Sequence, residues 1–174
     1  MKKVILILVI VIPMATVTFG QEKDKTFGRN RFEVAIGYTD LDSSLEGVCT
    51  TFSYERLFGK SGRIGLEFKG NYDSYSDIDA TLVTFGPNLN WYPFGRGRWL
   101  YIGPSLNAGI IFDEYDDNFV LSAGINSGIQ FQFGRVFGIK IGGNYDILQI
   151  SEIDDTLSNL QAFFGINFSG DLSN

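Results

Sequence analysis

From Asn118 to Gly134 the chain alternates strictly between two kinds of residue. Phe119, Leu121, Ala123, Ile125, Ile129, Phe131 and Phe133 share one parity, with Ser127 the single polar member. Val120, Ser122, Gly124, Asn126, Gly128, Gln130, Gln132 and Gly134 share the other. Neighbouring side chains on a strand point to opposite faces, so this period of two predicts one long β-strand with an apolar and a polar face. The polar face is small (Gly, Ser, Asn, Gln) rather than rich in Lys and Glu, unlike a solvated sheet surface. A bulky apolar face backed by a small polar one is what a narrow barrel with lipid outside and polar groups inside requires.

The same alternation occurs eight times. Apolar positions run through Phe32–Tyr38, Val48–Tyr54, Ile64–Tyr72, Val83–Trp91, Leu100–Ile110, Phe119–Phe133, Phe137–Ile147 and Leu160–Phe168. Tight turns are expected near residues 60, 95 and 135, and longer connections at 39–47, 73–80, 113–118 and 148–158. Pro87 and Pro104 fall within strands and are expected to mark bulges. No helix or second domain is predicted. The fold class is all-β: an eight-stranded antiparallel up-and-down transmembrane β-barrel. With an even strand number, both termini lie at the end that carries the three turns. Apolar-parity aromatics gather near both ends, Phe32, Phe58 and Trp91 toward the turns and Tyr38, Tyr72, Phe112, Phe119 and Tyr145 toward the loops. Aromatic side chains settle at headgroup level, so two such levels are the girdles of a bilayer-spanning barrel.

Composition adds a compartment. Lys2 and Lys3 precede the apolar run Val4–Ile12, and Thr18-Phe19-Gly20 is a small-residue cleavage site. Residues 1–20 therefore read as a secretory signal peptide, with 21–174 as the barrel domain. The chain has a single Cys, Cys49, which excludes an intramolecular disulfide and a Cys-based metal cage. Cys49 lies on the polar parity and is expected in the lumen. A formal charge of −6 argues against a nucleic-acid partner.

Charge also sorts by end. The four loop regions carry Asp40, Asp42, Glu46, Asp73, Asp77, Asp79, Asp113, Glu114, Asp116, Asp117, Glu152, Asp154 and Asp155 without any Lys or Arg, whereas Arg29, Arg31, Arg56, Lys60, Arg63, Arg96, Arg98 and Arg135 gather at the turn end. Asp73, Asp77, Asp79, Asp113, Glu114, Asp116, Asp117, Asp154 and Asp155 form an expected acidic rim. They either solvate the loops or bind divalent cations that bridge to lipopolysaccharide phosphates. On the polar parity, Glu33, Glu55, Glu67, Lys69 and Lys140 all fall near the turn end. Unpaired charge in a confined interior is costly, so these five are expected to form an ion-pair and hydrogen-bond network that fills the lumen. No catalytic residues, cofactor or dedicated metal site are expected. The chain lacks His, the usual general base, and no Ser has a recognisable nucleophile setting.

The closing segment Leu160-Gln161-Ala162-Phe163-Phe164-Gly165-Ile166-Asn167-Phe168 alternates and ends in Phe. With the eightfold pattern, it resembles the small outer-membrane β-barrels of Gram-negative bacteria, the OmpA-like and OmpX-like class. The resemblance implies a protein of the cell outer membrane in contact with lipid and lipopolysaccharide; the family also contains enzymes that generally rely on His, which this chain lacks, so a monomer with a non-enzymatic structural or surface-interaction role is expected. It also implies an alternative, a narrow ion path gated by carboxylate–base pairs in the lumen. A soluble exported lipid-binding barrel would need the apolar face inside.

Overall fold

The computed structural model describes residues 30–59, 61–76, 79–95, 99–113, 117–133, 136–151 and 156–170. The expected signal peptide, residues 1–20, lies outside them. Eight strands follow in order: β1 (Asn30–Leu41), β2 (Leu45–Phe58), β3 (Ile64–Tyr75), β4 (Ala80–Trp91), β5 (Trp99–Phe112), β6 (Asp117–Phe133), β7 (Phe137–Ile150) and β8 (Thr156–Gly170). Each pairs antiparallel with the next, and β8 closes on β1.

The register sets the shape. The paired residues Arg31, Glu55, Glu67, Asn88, Ser105, Gly124, Asp146 and Asn159 lead once round the barrel and return to β1 at Leu41, ten residues above the start. Eight strands with that stagger give a narrow barrel, tilted by roughly 40° and filled by side chains rather than open.

The faces sort as alternation requires. Ile36, Phe85 and Leu106 point outward and are 61%, 61% and 60% exposed, while their inward neighbours Ala35, Thr84 and Asn107 are buried. An outer face made of Ile, Leu, Val and Phe is stable against lipid and not against water, which excludes the soluble barrel with its apolar face inside. At the turn end, aromatic contacts form a girdle: Phe32–Tyr54, Trp99–Phe131, Phe133–Phe137 and Phe137–Phe168, with ring centroids 5.0–6.1 Å apart.

Two expectations are corrected here. Neither proline makes a bulge: Phe85↔Ala108, Asn88↔Ser105 and Trp91↔Ile102 keep one register across Pro87 and Pro104. A proline removes a donor without lengthening its strand, so the ladder is thinned rather than shifted. The strands also climb higher than their apolar runs. Leu41 pairs with Leu45 through a tight turn in which Asp42 and Ser43 both take φ of 55°, so Asp40 and Glu46 belong to strands rather than to a loop.

Candidate functional site in the barrel lumen

Near the turn end the lumen holds two tiers of buried charge. In the upper tier Lys140 Nζ lies 3.0 Å from Glu67 Oε1 and 3.1 Å from Glu33 Oε2. Ser53 Oγ donates to Glu67 at 2.7 Å, and Asn88 and Asn90 donate to its other oxygen at 3.1 and 3.2 Å. Lys140 also stands 4.7 Å from the Tyr101 ring centroid, a cation–π contact. In the lower tier Glu55 pairs with Arg31 at 3.3 Å and accepts from Asn90 at 2.9 Å and from the Tyr92 hydroxyl at 2.7 Å. Burial, with the Glu55 carboxylate alongside, pushes the Tyr92 phenol well above its ordinary range, so Tyr92 stays a donor. Asn90 donates to both carboxylates and joins the tiers.

Of the five charges expected to act together, Glu33, Glu67 and Lys140 meet directly, Glu55 sits one tier below, and Lys69 turns elsewhere. Its Nζ lies 4.3 Å from the Phe163 ring centroid and, with the Asn144 amide oriented to satisfy its neighbours, 2.7 Å from that amide oxygen.

Asp73 requires a correction. It is not on the rim but fully buried on the inner face of β3, where it accepts from Gln161 at 2.7 Å and Asn159 at 3.2 Å. Parity decides this: Asp73 shares the inward face with Lys69 and Asn71, and β3 continues two residues beyond it. Opposite, Asp146 accepts from Ser105 at 2.7 Å.

Above Asp73 the lumen turns apolar. Leu41 faces Leu45, Leu82 faces Ile111, Val120 faces Ile150 and Leu148 faces Leu157 across neighbouring strands. Tyr75 completes a ring to which every strand contributes. Its members pack on one another across the lumen, and Leu41, Tyr75, Leu82, Val120, Leu148 and Ile150 are buried. Their outward neighbours are mixed: Glu46, Ser74, Thr81 and Gln149 are polar, while Val83, Ile110, Phe112, Phe119, Leu121 and Ile147 are apolar and exposed. At this level the inward parity is therefore apolar, while the outer wall is part polar and part apolar. Burying a Leu or Ile here is worth about 1.5–3 kcal/mol relative to an aqueous mouth.

On the rim, Asp79, Asp113 and Asp117 are exposed. Asp77, Glu114, Asp116, Asp154 and Asp155 lie outside the described residues. Among the described residues no cluster of three or more Asp, Glu, Cys or His side chains is close enough to hold a metal ion.

Sequence reasoning missed Arg31, Tyr92, Tyr101 and Asp146 as members of the lumen network. Parity held the signal for Arg31, Tyr101 and Asp146, which share inward faces with Glu33, Gly103 and Lys140. Tyr92 lies just past β4 but keeps the inward parity of Asn88 and Asn90, so the same signal reaches it.

A closed barrel with an apolar outside, a charged inside and long strands joined by tight turns at one end narrows the comparison. No protein-family model matches the chain, and no curated protein matches it in sequence. Solved structures do match. The chain is similar to Neisserial surface protein A (TM-score 0.63, 12% identity, 80% of this chain and 96% of that one). It is similar to OprG from Pseudomonas aeruginosa (TM-score 0.51, 11% identity, 84% and 98%). It is also similar to Ail from Yersinia pestis, seen in a phospholipid bilayer nanodisc (TM-score 0.50, 14% identity, 80% and 99%). The chain has the fold of the small eight-stranded outer-membrane β-barrels. Fold alone does not select among the roles such barrels perform.

Proposed function

We propose that this chain is a monomeric outer-membrane barrel whose lumen is sealed and whose work is structural or lies in surface interaction, with no catalytic activity. One observation carries the reading: interlocked side chains close the lumen at two levels, charged tiers below and an apolar ring above, while the outer wall offers an apolar face to lipid. A lumen closed at both levels leaves the outer wall and the loop end as the available working surfaces. The absence of His from the chain fits a non-catalytic role. At the loop end, Asp79, Asp113 and Asp117 present carboxylates that divalent cations would bridge to lipopolysaccharide phosphates.

Two measurements test this. Refolded full-length protein in planar bilayers is expected to show no conductance above leak; steady unitary steps would replace the sealed scaffold with the narrow pore. Titration of protein in lipopolysaccharide-containing vesicles with Ca²⁺ or Mg²⁺ is expected to release heat in the millimolar range. No heat beyond that of protein-free vesicles would remove the cation bridge while leaving the scaffold intact.

A further inference from the structure

The charged tiers are the obvious candidate for closing the lumen, but the geometry points to a second and separate barrier. We propose that the apolar ring at the loop end is a hydrophobic gate that isolates a polar chamber from outside water, independently of Lys140. The proposal rests on the membrane-barrel reading and adds where the seal lies.

Three observations support it. The ring is continuous, since every strand contributes a residue to it, and Leu41, Leu82, Val120 and Leu148 are each no more than 2% exposed. The lumen immediately below is polar. Asp73, Asn159, Thr39 and the hydroxyl of Tyr75 bond to one another directly under the ring. Lower still, Thr51 Oγ1, Asn71 Oδ1 and Asn107 Oδ1 are buried without a partner among the described residues. Buried acceptors of this kind are normally satisfied by internal water, so a polar interior lies behind an apolar door. A constriction lined on all sides by aliphatic groups excludes ions by dewetting, with no need for charge. The ion pairs lie well below, nearer the turn end.

Cys49 is a built-in reporter. It faces the lumen between the two barriers, pairs with Gly37 and Asp73 across neighbouring strands, is fully buried, and is the sole cysteine of the chain. The experiment treats the refolded full-length barrel, in vesicles, with a small cationic methanethiosulfonate reagent added outside. Wild type is expected to react far more slowly than the SDS-boiled chain. The double variant L41S/L82S is expected to react at least about tenfold faster than wild type, because hydroxyls wet the ring. The triple variant E33Q/E67Q/K140M, which removes the ion pairs without leaving a buried charge alone, is expected to leave the rate unchanged.

Fast labelling of the wild type would overturn the proposal, as would exposure of Cys49 in E33Q/E67Q/K140M. Wild-type protection that persists in L41S/L82S would also overturn it. Heat-dependent gel mobility reports separately whether each variant forms the barrel, so loss of the barrel is distinguishable from loss of the gate. If L41S/L82S does not fold, Val120→Thr, nearly the same shape with one hydroxyl in the ring, is held to the same expectation of faster labelling.

Discussion

Lys140 sits between two carboxylates that would otherwise face each other in a space with little water. At 3.0 and 3.1 Å it compensates both, and Ser53, Asn88 and Asn90 occupy the remaining lone pairs of Glu67. Removing one partner of a buried pair leaves uncompensated charge, and that loss is larger than any gain from the pair itself. Lys140→Ala is therefore expected to destabilise the refolded barrel by about 3–5 kcal/mol, read as a lower midpoint in a denaturant titration. Changing Glu33 and Glu67 to Gln together with Lys140→Met should recover most of that. If Lys140→Ala alone is neutral, the cluster is not buried as described. The inward charges were legible in the sequence because strand parity assigns a face to every residue. Their pairing was not: parity says nothing about height, so it could not separate Glu55 with Arg31 from Glu67 with Lys140, or foresee that Lys69 would settle on Phe163.

At the scale of the strands, close approach is controlled by where side chains are missing. Tyr101 on β5 lies over Gly128 on β6 and reaches Gly142 on β7, where a Cβ would overlap its hydroxyl. That hydroxyl has no hydrogen-bond partner among the described residues. Gly142→Ala is expected to lower the temperature at which the folded gel band disappears, and Tyr101→Phe, costing little alone, should rescue part of that loss, since the Ser127 carbonyl oxygen also lies 2.8 Å from the new Cβ. Lack of rescue would mean that Gly142 is required for another reason. The strand cores were legible for the reason that made the barrel legible, a sustained period of two. The upper ends were not. At Ile147-Leu148 and at Leu41 the inward parity becomes apolar, the alternation that marks a strand fades, and the segment reads as a loop. The ring and the buried Asp73 were hidden because the inward parity turns apolar there, so the two faces no longer differ clearly in polarity along the strand.

For the whole molecule, an antiparallel sheet closed on itself has no edge strand, and every strand from β1 to β8 has a paired neighbour on both sides. The outer wall is stable only against lipid or detergent, and the filled lumen resists collapse. A barrel of this kind stays folded in SDS until heat opens the ladder, because no strand can peel from an edge. The measurement that tests this most directly is the gel mobility of detergent-refolded protein in SDS, boiled against unboiled. The account predicts two bands, a compact form in the unboiled sample and a slower or faster unfolded form after boiling, together with precipitation when detergent is withdrawn. One band in both lanes, from a chain that remains soluble without detergent, would contradict it and turn the assignment of inner and outer faces around.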